Sequence, residues 1–385
     1  MKKYLCLFGA ALAFGCATAS ATTKAVAFAD ELNVTCKAAY LCDFDSGTQV
    51  YAKNETKRLP IASMCKIMTL LLSFEAVDEG SVSYDEQITI GENASGMGGS
   101  QVFLQTNLSY SAAELMKTVA VCSANDSCVA LAERIAGTES AFVEKMNKRA
   151  KELGADNTLF ANCTGLPKEP QYSCAKDVAV MLRELLKHKK YFEFSKIWLE
   201  DFAHPDGRTT RITNTNKLVR FYEGCDGGKT GYTSEAGFCL AATAKRGETR
   251  LVSVVIGSDN SKKRFAESKD MLNYAFNCYE NRKILEAGKA IERKLPVKGS
   301  KTSEVDICAE NNLSAFVRKG ETGELNVEYV LPDEAKAPLS KGDCVGEAVL
   351  YRNGIEIART RLTCMQNAAR FSWWEAMREG SQNWN

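Results

Sequence analysis

Apolar spacing divides the chain into two textures. Residues 38–41 and 49–51 are strand-like runs around the polar stretch Asp43-Phe44-Asp45-Ser46-Gly47, which predicts strand, turn, strand. Residues 66–77 are rich in Ile, Met and Leu and apolar on nearly every face. A helix of that kind is buried, so it is expected to run through the middle of a domain. Ser111 and Glu114 form a capping box ahead of Leu115, Val119 and Cys122 at helical spacing. A helix is predicted from there to just before Gly137. Phe142, Met146, Ala150 and Leu153 mark one face of another helix, closed by Gly154, and 178–186 is a further amphipathic segment. Residues 238–244 and 251–256 read as strands joined by Lys245-Arg246-Gly247-Glu248, with a helix near 265–277.

Beyond about residue 298 the pattern is all strand. Leu325, Val327, Tyr329 and Leu331 alternate strictly, and 348–351 and 355–358 flank Asn353-Gly354, a strong hairpin signal. The expected organisation is a leader over 1–21, a large domain over 24–283, a small all-β domain over 295–366, and a short tail over 367–385.

Composition adds bounds. A length of 385 residues suits two domains, and 45% hydrophobic with 25% charged residues is a globular balance. A formal net charge of +1 offers no basic field, so no nucleic-acid partner is expected. Lys2 and Lys3, an apolar run over 4–16 and Ala19-Ser20-Ala21 have the layout of a secretory signal peptide cleaved after Ala21. The mature protein is thus expected in the cell envelope, outside the cytoplasm. Fifteen cysteines, less Cys6 and Cys16 in the leader, leave thirteen. No Cys-x-x-Cys pair or metal spacing groups them. Cys122, Cys128 and Cys239 stand in apolar stretches where a small hydrophobe serves. Most are read as buried thiols, and no cofactor or metal is implied.

The candidate chemistry lies in three motifs in order: Ser63-Met64-Cys65-Lys66, Ser123-Ala124-Asn125 and Lys229-Thr230-Gly231. Each alone is common by chance. Together, with the first opening a buried helix and the third entering a strand, they are not. Helical positions i and i+3 share a face, which brings the Lys66 amine to the Ser63 hydroxyl. That hydroxyl is a weak nucleophile until a base takes its proton. Lysine serves as the base where burial or a neighbouring cation lowers its pKa; the apolar helix supplies the burial and Lys229 the cation. His188 and His204 are the only histidines and read as surface residues, which disfavours a Ser-His-Asp triad or a histidine metal site.

Around these motifs run Leu59-Pro60-Ile61-Ala62-Ser63-Met64-Cys65-Lys66-Ile67-Met68-Thr69, Asn162-Cys163-Thr164-Gly165-Leu166-Pro167 and Asp226-Gly227-Gly228-Lys229-Thr230-Gly231-Tyr232-Thr233-Ser234-Glu235-Ala236-Gly237. With them, 38–272 resembles the D-alanyl-D-alanine carboxypeptidases, the low-molecular-mass penicillin-binding proteins. The resemblance implies an α/β (α+β) catalytic domain of the penicillin-binding, β-lactamase-like type, an antiparallel sheet flanked by helices, followed by a small all-β domain. It implies a serine peptidase acting on peptidoglycan stem peptides ending in D-Ala-D-Ala and acylated by β-lactam antibiotics. By matching positions, Ser63 forms the acyl-enzyme, Lys66 accepts its proton and Ser123 relays protons to the departing D-alanine. Asn125, Lys229, Thr230 and Gly231 line the substrate. The N–H groups of Ser63 and Tyr232 form the oxyanion hole, and Arg264 meets the terminal carboxylate.

Two departures, Ala124 for the usual glycine and Cys65 for a threonine or small residue, remove no reacting group. A β-lactamase would need a Glu-x-x-Leu-Asn element between the second and third motifs, and none is present. Cleavage of crosslinks by the same residues stays open. Arg264 has a competing role as a surface ion pair with Glu267, one helical turn on. In the tail, Phe371, Trp373 and Trp374 offer interfacial area, with packing on the β domain as the alternative, but Glu375 and Glu379 sit nearby, so weak membrane-surface association at most is expected.

Overall fold

The computed structural model describes residues 32–372 apart from Thr322. The leader and the tail residues Trp373, Trp374 and Trp384 lie outside the described residues.

The first domain is built on five antiparallel strands: β1 (Ala38–Asp43), β2 (Gln49–Lys53), β3 (Cys225–Thr233), β4 (Gly237–Arg246) and β5 (Thr249–Ser258). Their order is β2-β1-β5-β4-β3, so β3 is an edge strand. Both faces of this sheet are covered, which explains why β4 and β5 read as continuous apolar runs. Val252, Val254 and Ile256 enter the larger core, while Leu251 and Val255, the alternate positions, enter a second core on the other face.

Six longer helices flank the sheet: α1 (Lys66–Asp78), α2 (Ala112–Cys122), α3 (Asn125–Ala136), α4 (Glu139–Glu152), α5 (Ala175–Leu185) and α7 (Ser261–Cys278), with the short α6 (Lys189–Ser195) between the last two. Helix α1 runs through the larger core against α2, α3, α4 and α5, as its all-round apolar sequence predicts. Helix α7 packs against β4 and β5 on the opposite face.

The helix expected from Ser111 to Gly137 is two helices. The capping box is present, with Glu114 N–H donating to Ser111 Oγ at 3.2 Å and Ser111 N–H to Glu114 Oε2 at 3.0 Å. Helix α2 then stops at Ser123, whose φ of 66° is left-handed. The break is held from outside. The Asn125 N–H donates to the Ser100 carbonyl at 2.7 Å, and the buried Asp126 carboxylate accepts from Val102 N–H at 3.0 Å, Leu104 N–H at 3.1 Å and Ser127 N–H at 2.9 Å. Tertiary hydrogen bonds thus override a continuous helical pattern.

Strand structure resumes at Tyr279, earlier than the expected 298. Strands β6 (Tyr279–Leu285) and β9 (Leu313–Arg318) pair with each other; β7 (Ala290–Lys298), β8 (Glu304–Ala309), β10 (Leu325–Val330), β11 (Ala335–Lys336), β12 (Cys344–Arg352) and β13 (Ile355–Cys364) form a sheet in the order β10-β12-β13-β8-β7-β11. Turn residues Asn353 and Gly354 have φ of 50° and 77°, the paired left-handed conformation of a tight hairpin. The second domain has its own core of Leu295, Val305, Ile307, Leu350 and Leu362. It is tied to the first by Phe316, which enters the second core of the first domain beside Met271 and Phe276, by Lys319 Nζ donating to the Phe276 carbonyl at 2.7 Å, and by Asn281 Nδ2 donating to Asp43 Oδ1 at 2.7 Å.

All thirteen cysteines among the described residues are free thiols, and ten are buried.

The entering chain is held by one carboxylate. Buried Glu267 accepts from Thr35 N–H at 2.7 Å, Thr35 Oγ1 at 2.9 Å and Cys36 N–H at 2.9 Å, and also from Ser258 Oγ. Glu267→Ala would strand these donors. Each unsatisfied buried group costs about 1–3 kcal/mol, so a total loss of about 3 kcal/mol is expected in urea unfolding with an unchanged slope. A loss below about 0.5 kcal/mol, the range of an ordinary surface substitution, would refute this role.

Candidate active site

Ser63 stands on a 3-10 turn, Ala62–Cys65, that feeds directly into α1, of which Lys66 is the first residue. The serine is therefore one turn ahead of the helix, yet the spacing still works: Lys66 Nζ lies 3.0 Å from Ser63 Oγ. Lys66 is completely buried and donates to the Thr164 carbonyl at 2.5 Å. That carbonyl is presented by the loop at 162–167. Asn162 Oδ1 accepts from Thr164 N–H at 3.2 Å and Gly165 N–H at 2.7 Å, and Asn162 Nδ2 donates to the Leu166 carbonyl at 2.8 Å. The sequence marks this loop only as a matching stretch. Its role as the second partner of Lys66 had no separate signal, because the acceptor is a main-chain oxygen.

The turn is clamped between two glycines. Ala62 has φ of 49°, a conformation uncommon for a residue with a Cβ. Gly165 has φ of 80°, and a Cβ there would fall 2.0 Å from the Ala62 carbonyl oxygen. A Cβ on Gly231 of β3 would fall 2.6 Å from the Ile61 carbonyl and 3.2 Å from Ser63 N. The third motif thus crosses the nucleophile turn with backbone against backbone.

The second motif contributes two buried polar atoms without a partner, Ser123 Oγ and Asn125 Oδ1. Asn125 Nδ2 donates to the Gly98 carbonyl at 2.7 Å, which fixes the amide and leaves its oxygen free to accept. Buried polar atoms in native proteins are nearly always paired, so such vacancies mark a place made for something else. Ala124 sits buried at φ −60°. Nothing at that position requires glycine, so the departure is structurally harmless.

On the opposite wall Lys229 is buried, with Nζ donating to the Thr230 carbonyl at 3.1 Å. Burial, and then the neighbouring Lys66, push its pKa down to about 7. Thr230 Oγ1 donates to Thr215 Oγ1 at 2.8 Å. Tyr232 is exposed, with its ring 4.3 Å from that of Phe238.

Arg264 corrects its competing role. It makes no ion pair with Glu267, whose oxygens are taken by Thr35, Cys36 and Ser258. Instead Arg264 reaches from α7 to the far end of the third motif, where Nη1 donates to the Gly231 carbonyl at 3.0 Å and the Cys239 carbonyl at 3.3 Å. Its Nε is buried without a partner.

The sequence and the fold recur in proteins of known type. A D-alanyl-D-alanine carboxypeptidase family model, peptidase S11, matches residues 22–260, and the penicillin-binding protein 5 C-terminal domain matches 279–370. The chain belongs to the D-alanyl-D-alanine carboxypeptidase family. It is 39% identical over 338 residues to the Bacillus subtilis D-alanyl-D-alanine carboxypeptidase DacF, covering 88% of this chain and 87% of that one. Penicillin-binding protein 5 of Haemophilus influenzae superposes with a TM-score of 0.69 at 33% identity, over 88% of this chain and 98% of that one. Penicillin-binding protein D2 of Listeria monocytogenes, in its ampicillin-bound form, superposes with a TM-score of 0.57 at 30% identity, over 64% of this chain and 99% of that one.

Of the two histidines of this carboxypeptidase, His204 contradicts the surface reading and His188 is half-buried. His204 is buried, with Nδ1 2.8 Å from the Tyr110 hydroxyl and Nε2 2.9 Å from Thr210 Oγ1, and burial lowers its pKa. His188 stacks on Phe74 at 5.4 Å and pairs with Asp78 at 2.9 Å. Their polar atoms serve packing and bind none of the three motifs. No cluster suited to a metal ion occurs among the described residues. No helix among them is long and apolar enough to cross a membrane.

The glycine clamp is testable. Gly165→Ala must push the Ala62 carbonyl aside and strain a left-handed position, at a cost of roughly 1–3 kcal/mol. The melting temperature is expected to fall by several degrees and penicillin labelling to slow at least tenfold. Labelling at the normal rate would show that the clamp does not set the serine.

Proposed function

We propose that this carboxypeptidase removes the terminal D-alanine from peptidoglycan stem peptides ending in D-Ala-D-Ala, through an acyl-enzyme on Ser63. The observation that carries the reading is the 3.0 Å contact between Ser63 Oγ and the buried Lys66 amine, inside a turn too tightly clamped to drift. Ser63 Oγ attacks the carbonyl carbon of the penultimate D-alanine while Lys66, as the free amine, takes the hydroxyl proton. The carbonyl oxygen gathers negative charge and is met by the N–H groups of Ser63 and Tyr232. Collapse breaks the C–N bond, and Ser123 passes a proton to the departing D-alanine nitrogen. Water then attacks the ester and frees Ser63. Asn125 Oδ1 accepts from the substrate backbone, and Lys229, Thr230 and Gly231 hold its other edge. β-Lactams enter the same path by presenting a strained amide to Ser63.

The leader over 1–21 exports the protein, and the reaction takes place in the cell envelope. Contact with the membrane surface through the tail is at most weak.

The deciding experiment offers a peptide ending in D-Ala-D-Ala and measures free D-alanine, alongside intact mass after exposure to penicillin. Release of one D-alanine per peptide and one adduct per chain are expected, both absent in Ser63→Ala. An adduct on that variant would move the nucleophile elsewhere.

Arg264 supplies the cation for the terminal carboxylate, because its planar fork suits two carboxylate oxygens. A charge-assisted hydrogen bond is worth roughly 1.5–3 kcal/mol, so Arg264→Ala is expected to lower kcat/KM by about 10- to 150-fold. Nη1 also supports the Gly231 and Cys239 carbonyls, so part of the loss is shared by every substrate. The loss beyond that shared part is expected to disappear on a peptide with an amidated terminus. Equal losses on acid and amide would leave Arg264 with the strand-supporting role alone.

A further inference from the structure

An edge strand leaves one row of backbone groups without a neighbouring strand, and β3 is such a strand. The first half of that row is sealed by side chains of α6. The Tyr191 hydroxyl accepts from Gly228 N–H at 2.9 Å and donates to the Gly228 carbonyl at 3.3 Å. Ser195 Oγ donates to the Asp226 carbonyl at 2.6 Å. Asp226 and Gly228 therefore face outward, and with a period of two so do Thr230 and Tyr232. Those last two positions are left to the cleft.

Tyr191 also touches the other wall. Its ring meets Phe74 edge-on, with centroids 6.2 Å apart and an interplanar angle of 84°. Phe74 lies on α1, the helix that Lys66 begins. One buried side chain thus connects the helix carrying Lys66 to the residue directly before Lys229.

We propose that Tyr191 is a positioning residue: its ring braces α1, its hydroxyl pins Gly228, and the two contacts set the separation of Lys229 from Lys66. The same hydroxyl closes the strand edge, so a peptide pairs only from Thr230 onward. This inference rests on the Ser63–Lys66 reading above.

The titratable groups acting on Lys229 are Lys66 on α1, Cys128 on α3, Cys122 on α2 and Arg264 on α7. Burial, and then the Lys66 charge, push Lys229 down to about 7, so a limb of the acylation profile near pH 7 is expected to report the Lys229 amine. Without the Tyr191 hydroxyl the strand loosens and water reaches Lys229. Its pKa then climbs toward that of an ordinary lysine, and that limb moves to higher pH.

The test is the second-order rate of penicillin acylation of the full chain across pH, for wild type and Tyr191→Phe, with melting temperatures taken alongside. The variant keeps the ring and loses only the hydroxyl. Its limb is expected to rise by about one pH unit. An unmoved limb overturns the proposal, whether the rate is normal or uniformly reduced. If Tyr191→Phe does not fold, Phe74→Leu loosens the brace from the other side, and an unmoved limb there overturns it equally. Failure of wild type to form a Ser63 adduct would retract the nucleophile reading instead. Amide exchange at Gly228 then still decides the pinning, since unchanged protection in Tyr191→Phe overturns it.

Discussion

Main chain must touch main chain around Ser63, and much of the catalytic domain is arranged to allow it. The nucleophile turn is pressed by the loop at Gly165 on one side and by β3 at Gly231 on the other, with no room for a methyl group in either contact. This close approach brings the Thr164 carbonyl to Lys66 and the third motif to the serine. It also explains why the turn tolerates Ala62 in a left-handed conformation: the neighbours over-determine it. Reactivity here depends on the absence of side chains as much as on their presence.

Charge follows from the same compression. Lys66 and Lys229 are both buried, and the hydrogen bonds of their amines go to Ser63 and to main-chain carbonyls. A buried cation without a carboxylate is costly, and Lys229 is pushed down to about 7. The site thereby holds amine character at neutral pH without a histidine, and His188 and His204 are free to serve packing.

Much of this was legible beforehand. The Ser63–Lys66 spacing, the buried α1, the β4–β5 hairpin and the Asn353-Gly354 turn each rest on a local rule, and each appears. The misreadings share a cause. The break at Ser123 depends on Ser100 and Asp126 holding a loop from outside, the burial of His204 depends on Tyr110 far along the chain, and Glu267 is claimed by Thr35 and Cys36 across more than two hundred residues. Those partners are set by tertiary contact and leave no periodic trace. Thr164 was invisible for another reason, since its contribution is a carbonyl that any residue carries.

The sulfur content has a different consequence. Thiols such as Cys42, Cys128 and Cys225 are pushed up to about 12 by burial, so at neutral pH they carry almost no thiolate and resist oxidants and alkylating reagents. They behave as compact hydrocarbon-like fillers. Maturation of this domain therefore asks nothing of an oxidase or a disulfide isomerase. Among the described residues Cys344 is the exposed thiol, so oxidation falls there on the surface while the buried sulfurs keep their packing with or without oxygen.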